Sequence, residues 1–510
     1  MAPRLPPVAL ITVLTLGALP LDAQPAPLRH DTRLASADLR ADLATLRTAY
    51  EALHPGLLRY QTAAASAERF DALDRYFTTD RTLGEAFLAL TRLTAAIRCG
   101  HSYPNFFNQN KAVANALFEG TDKLPVEFRW LNRRMIVTAD RADDADLPRG
   151  SEILSINGVP VGTILDSLLP LARADGGNDA KRVAYLEVQG AERNHAFDVL
   201  YPLVFPLRTA RFVLDVRVPA STARRRVSVA PLSAATRRAP SPTAAEPAED
   251  APLWRYTESD GIGILTMPTW ALFNSKWDAA RWSDSVLEGV IARRVADLVI
   301  DLRGNEGGVD AGNALLARLI DAPLRLPSYP RQVRYRRVPD ELNPVLDTWD
   351  NSFRDWGPAA IATADPRYYR LTRWDDAADG SDVITPAGQR YRGRVWVLVG
   401  AANSSATFQF ALAAQQSGVA TLVGQPTGGN RRGINGGAFF FVRLPKTGLE
   451  VDLPLIAGVP TTEQPDAGVL PDFLVTPTVA DIASGEDAEL RAVRAAIGIR
   501  GGAAREGSPW

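Results

Sequence analysis

Apolar residues first recur with helical spacing near the start of the chain. Leu39, Leu43, Leu46, Tyr50 and Leu53 share one face of a 3.6-residue repeat, and Pro55 follows where a helix should stop. Thr82-Leu83-Gly84-Glu85 reads as a capping box opening a further helix, with Phe87, Leu90, Leu93 and Ile97 on its apolar face and Gly100 as its expected C-terminal cap. Residues 34–98 therefore read as helical. From Leu124 to Val218 the period shortens to two: Val126–Trp130 and Arg134–Thr138 alternate, and Glu152–Ile156 runs into the turn signal Asn157-Gly158. Residues 220–253, rich in Ala, Arg, Ser and Pro, show no period and read as a linker or long loop.

A third pattern begins at Gly261. Continuous apolar runs at 261–267, 297–302, 395–399 and 419–423 alternate with helical stretches at 276–294, 309–321 and 405–416. Strands apolar on both faces and separated by helices predict a parallel sheet with helices covering it. The Pro- and Arg-rich stretch 324–392 interrupts this alternation, and Phe439–Val442 with Leu449–Val451 reads as a hairpin with Lys446 at its tip.

At 510 residues the chain has room for about three domains. Lys and Arg (57) balance Asp and Glu (58), which argues against a nucleic-acid partner held by bulk positive charge. One cysteine, Cys99, excludes an internal disulfide framework and any multi-cysteine metal site, and the four histidines (30, 54, 101, 195) lack the spacing of a metal-binding helix. No metal or organic cofactor is expected. Arg4, the apolar stretch Val8–Leu21 and the small residue at Ala23 read as a secretory signal over residues 1–23. No apolar run reaches the roughly 20 residues of a membrane span. The expectation is an exported protein, periplasmic or secreted, with no stable membrane insertion.

Two junctions in the last region carry candidate chemistry. Asp301-Leu302-Arg303-Gly304-Asn305-Glu306-Gly307-Gly308 follows a buried strand, at the strand end where parallel sheets place their sites. Adjacent glycines let backbone N–H groups approach a ligand, although a strand–helix turn needing positive φ would use them too. Ala401-Ala402-Asn403-Ser404-Ser405-Ala406-Thr407 joins another strand to a helix. A serine there stands at the positive end of a helix dipole, either as an ordinary cap or beside N–H groups that bind an oxyanion.

These two junctions, with Gly424-Gln425-Pro426-Thr427-Gly428-Gly429 after the second, resemble the tail-specific (C-terminal processing) serine protease family. Gly150–Gly158 is similar to that family's PDZ-like domain, Gly468–Asp472 to a segment near its end, and Cys99-Gly100-His101-Ser102 to its Gly-His motif. The resemblance implies an α/β fold: a crotonase- or Clp-protease-like catalytic core with a helical N-terminal domain and a PDZ-like domain. The divisions it suggests are a signal peptide (1–23), a helical N-terminal domain (30–118), the PDZ-like domain (119–220), a linker (221–253), the core (254–485), and a C-terminal helix and tail (486–510).

Residue by residue, the resemblance makes Ser405 the nucleophile. Asn430 occupies the position of the family's catalytic lysine, neighbouring Arg431 and Arg432 do not accept protons near neutral pH, and Lys446 reads as a solvated hairpin lysine. The chain therefore resembles the tricorn-like branch, in which a histidine is the base, and His101 is that histidine. His30, His54 and His195 read as non-catalytic, His195 in a polar loop. Glu463 is the expected orienting carboxylate, ahead of Asp466, and Ser102 the candidate relay, since Gly100 stands where the branch has a serine. Backbone N–H groups of Gly307, Gly308 and Ala406 are the expected oxyanion donors. The implied function is an exported serine endopeptidase acting on peptides or unfolded proteins near their C-termini by acyl-enzyme chemistry. A catalytically silent peptide- or ligand-binding protein on the same scaffold is the competing reading.

Overall fold

The computed structural model describes residues 27–505 apart from 143–145, 191–193, 220, 222, 240–250, 274, 328 and 375–381, and side chains up to residue 498. The expected signal segment, 1–23, lies outside the described residues, as does the end of the expected tail.

The fold is mixed α/β, and one of its layers is a six-stranded sheet. In order, the strands are Phe473–Leu474, Thr421–Gly424, Arg394–Val399, Asp297–Asp301, Ile262–Thr266 and Arg255–Ser259. All neighbours run parallel except the last pair. The unbroken apolar runs have a direct cause, because both faces of this sheet are covered. Arg394–Val399 sends Val395, Val397 and Val399 into a core with helices Ala279–Ala292, Ala311–Ala317 and Ser405–Gln416. Trp396 and Leu398 enter a second core closed by Val493 of the C-terminal helix Ala488–Arg505.

An antiparallel sheet stands beside it, with order Leu346–Asp347, Asn435–Arg443, Glu450–Gly458, Arg331–Val333, Tyr369–Leu371, Ala360–Ala362. A third sheet runs Val126–Leu131, Arg134–Asp140, Glu152–Ile156, Phe212–Arg217, Arg224–Val229. Asn157 (φ 50) and Gly158 (φ 80) make the tight turn that the sequence signals there. The region also holds helices Val161–Leu168, Asp179–Tyr185 and Ala196–Val204, which the alternation did not announce. Nor is 220–253 irregular throughout. Arg224–Val229 pairs over six residues with Phe212–Arg217, and Ala234–Arg238 is helical, with Arg237 in a buried ion pair with Asp198 at 2.8 Å and Arg238 paired with Glu119 at 2.6 Å.

Four helices, Ser36–Leu53, Ala63–Tyr76, Leu83–Ala95 and Lys111–Phe118, occupy the N-terminal region among the described residues. They share one core with both antiparallel sheets, Leu46 and Phe87 lying in the same cluster as Phe128 and Phe440. The Asp42 carboxylate accepts from the N–H groups of Lys446 and Thr447, and Tyr50 Oη donates to the Asp452 carbonyl at 2.6 Å. These contacts, on the hairpin tip and on the strand Glu450–Gly458 after it, tie the early helices to that antiparallel sheet.

The capping box is complete, Thr82 accepting from Glu85 N while Glu85 accepts from Thr82 N. Gly100, however, does not cap the helix, which ends at Ala95, and the left-handed residue after it is Arg98 (φ 61). Gly100 is glycine because a Cβ would stand 2.9 Å from an Asp175 carboxylate oxygen. His195 is likewise buried, not in an open polar loop. Replacing Thr82 with Ala should cost about 1 kcal/mol in chemical denaturation, the usual worth of a serine or threonine cap.

Candidate active site

The loops at the carboxyl ends of the parallel strands converge on Ser405. Asn403, fully buried, binds them together: its amide donates to the carbonyls of Leu302 and Asn305, and its Oδ1 accepts from Gly400 N at 2.7 Å. The Asn403 carbonyl accepts from Gly428 N and Gly429 N. Thr407 Oγ1 adds bonds to the Asn305 and Ser404 carbonyls. Both residues sit inside the motif that the sequence singles out, but nothing in composition distinguishes them from ordinary turn residues.

Ser404 and Ser405 part company here. Ser404 is buried and its hydroxyl donates to the Glu306 carbonyl at 3.1 Å. Ser405 has φ 51, a left-handed conformation that a residue with a Cβ seldom adopts, and its hydroxyl makes no hydrogen bond among the described residues. Strand, strained serine, then helix is the arrangement that lifts a nucleophile clear of its own backbone. Gly307 presses against this step, since a Cβ on it would lie 2.9 Å from Ser405 Cβ and 3.0 Å from Ala406 N. Only a glycine at φ 103 permits that approach.

Of the three expected oxyanion donors, Gly308 and Ala406 keep N–H groups without a partner among the described residues. Gly307 does not: its N–H donates to Asn305 Oδ1 at 2.9 Å, which makes it a shaping residue in this conformation.

His101 is half-buried, with its Nδ1 buried and unpaired and its ring 5.7 Å from that of Phe439. Burial lowers its pKa below the ordinary histidine value. The Asp175 carboxylate opposes that shift, and the Arg173 guanidinium reinforces it. A neutral imidazole at pH 7 is the form that accepts a proton. No hydrogen bond joins His101 to Ser405 here, as is common in unliganded sites.

A charge cluster joins the histidine side to the serine side. Arg173 donates to the Gly100 carbonyl at 2.6 Å with one nitrogen and to Glu306 at 3.0 Å with another. Lys181, buried, pairs with the other Glu306 oxygen and donates to the Ala402 carbonyl at 3.0 Å. Packing around Glu306 works against ionisation, but Lys181 and Arg173 outweigh it and lower its pKa to about 2. The Glu306 side chain is still 43% exposed, so the cluster sits at the mouth of the site rather than in a sealed core. Asp175 completes it by accepting from Gly100 N at 2.8 Å. Arg173, Asp175 and Lys181 were missed from sequence, the Ala174-Asp175-Gly176-Gly177 turn being the available signal, and Glu306 lay within the quoted glycine junction without a role assigned to it.

Two further expectations need correction. Ser102 is no relay to His101: it is fully buried and its Oγ lies 2.7 Å from His54 Nε2. His54 Nδ1 accepts from Gly56 N, so the proton is on Nε2 and points at Ser102, and burial drops the His54 pKa to about 3. Glu463 is exposed, with no hydrogen bond or ion pair among the described residues, because its loop runs outward. Asp466 is the acid drawn inward, accepting from Gly177 N at 2.8 Å and Asn430 Nδ2 at 2.6 Å. Asn430, where the family that the chain resembles has its lysine, thus joins the Asp175 and Asp466 loops instead of moving protons, and Lys446 is exposed on its hairpin. Among the described residues no group of three or more His, Cys, Asp or Glu is placed to hold a metal, and no helix is long and apolar enough to cross a membrane.

Residues 261–440 match the sequence model of peptidase family S41. No curated protein matches the chain. Among solved structures, mature CPAF complexed with lactacystin is 18% identical with a TM-score of 0.58, over 88% of this chain and 95% of that one. Mature CPAF alone gives 17% and 0.55, over 88% and 94%. At such identities the likeness speaks to the fold, and the sequence model covers the segment that carries Ser405 and the paired glycines. The chain is a serine-type peptidase that is similar to peptidase family S41 over residues 261–440.

Proposed function

We propose that this chain is an exported endopeptidase that cleaves peptides or unfolded proteins near their C-termini through an acyl-enzyme on Ser405. The observation that carries this reading is the strained Ser405, its hydroxyl unengaged, at the head of a helix and against Gly307. In the proposed reaction Ser405 Oγ attacks the scissile carbonyl while neutral His101 takes its proton, later returning it to the leaving amine. Water then repeats the sequence on the ester. The N–H groups of Gly308 and Ala406 receive the oxyanion, in a position that costs no rearrangement at the moment of reaction. Asp175 is the carboxylate beside His101 and replaces Glu463 in our reading of the site.

The region 119–220 is read as a PDZ-like module that captures a substrate's terminal carboxylate by strand addition. Its antiparallel sheet and the helix Val161–Leu168 are consistent with that role. Export is inferred from the first 23 residues alone. One observation favours the silent-scaffold alternative, namely that His101 and Ser405 are not hydrogen-bonded.

A fluorophosphonate probe decides between the two readings. It should label the wild type, lose all labelling with Ser405→Ala and drop by at least a hundredfold in rate with His101→Ala; an unlabelled wild type would establish the silent scaffold. Because burial depresses the His101 pKa, the acidic limb of kcat/KM should lie below pH 6.5. Asp175 stabilises the protonated ring, so Asp175→Asn should move that limb to still lower pH, and a shift upward would remove Asp175 from the role. Amidating the C-terminus of a peptide substrate should weaken cleavage; equal rates for amidated and free peptides would end the terminal-capture reading.

A further inference from the structure

The strand Asn435–Arg443 alternates across its sheet in an uncommon way. Phe440 and Val442 point into the main core, where both are fully buried. Phe439 and Phe441, on the opposite face, are only half-buried. Trp349, in the segment following Leu346–Asp347, lies over them with ring centroids 5.8 Å from each, tilted 41° and 49°. It also meets Phe353 edge-on at 5.6 Å. Three ring contacts fix the indole in place, yet Trp349 remains 61% exposed. A large aromatic residue held by its neighbours but left open to solvent is unusual unless something else covers it.

The patch is continuous with the site. Phe439 contacts Trp349 on one side and the His101 ring, at 5.7 Å, on the other. A register shift between Gly436 and Phe439 bends the strand there, and a Cβ on Gly436 would come 3.9 Å from His101 Cε1. The partner strand Leu346–Asp347 covers that edge only at Phe441 and Val442. An extended chain lying past His101 therefore meets aromatic rings next.

We propose that Trp349, Phe439 and Phe441 form a subsite for an aromatic side chain of the substrate, within a few residues of the bond to be cleaved. Its ligand is a peptide bearing Phe, Tyr or Trp. Tilted and edge-on rings already line the walls, and a further ring completes the cluster in the geometry that aromatic groups prefer, while an alanine leaves Trp349 wet. The placement next to His101 rests on the peptidase reading above. The recognition itself does not require turnover.

The test uses the full-length Ser405→Ala protein and two fluorescein-labelled decapeptide pools, alike except for a central Phe in one and Ala in the other. Fluorescence anisotropy should show the Phe pool binding about tenfold more tightly, in line with one buried aromatic contact. Adding Trp349→Ala should bring the two pools within about twofold, whereas Phe473→Ala, an exposed phenylalanine on the far edge strand of the parallel sheet, should leave the preference intact. Equal binding of the pools, or a preference that survives Trp349→Ala, overturns the proposal. Probe labelling of the wild type reports separately on catalysis. A labelled enzyme without the Phe preference refutes the subsite alone, and a Phe preference in an unlabelled protein upholds the subsite and refutes the peptidase.

Discussion

The bridge from Arg173 to Glu306 holds the two halves of the site in one frame. One guanidinium touches the carbonyl next to His101 and the carboxylate next to the paired glycines, while Lys181 ties the same carboxylate to the backbone just before the serines. Exposed ion pairs contribute little to stability. Here the value is geometric, because planar, fixed donors set the distance between loops that have no covalent reason to meet. Arg173 is also sandwiched between Tyr103 and Tyr185, at 4.4 and 4.8 Å from the ring centres, which limits where its head group can go.

Around that bridge the serine side is rigid and the histidine side is docked. Asn403 fixes the serine loop from beneath with buried hydrogen bonds, and the strain at Ser405 persists because the strand before it and the helix after it are both immobilised by packing. His101 arrives from the end of the N-terminal helices, which are held by the contacts of Asp42 to Lys446 and Thr447 and of Tyr50 to Asp452. Behind it, the His54–Ser102 pair secures the turn that carries His101. Neutral His54 thus has a structural task, whereas His101 keeps an unpaired Nδ1 among four charged neighbours.

Much of the parallel sheet was legible because its strands are buried on both faces, leaving runs such as Val395–Val399 that no exposed element would tolerate. The Ser405–Gln416 helix and the capping box at Thr82 were legible for a similar reason: the signal is local and the physics that makes it is local. Gly100 misled because a glycine after a helix suggests a cap, whereas this one makes room for a carboxylate 75 positions away. Glu463 and Ser102 misled because spacing along the chain does not report which way a loop turns.

The sequence by itself determined the alternation of strand and helix, the serine and glycine junctions and the presence of Asn430 where the family that it resembles keeps a lysine. Those features depend on contacts within a few residues or on residue type alone. Only the tertiary structure decided which acid stands beside His101, that Gly307 has already spent its N–H on Asn305, and that Trp349 lies over Phe439. Each of these joins residues from separate loops, and a contact of that kind exists only once the cores have packed and fixed where the loops end.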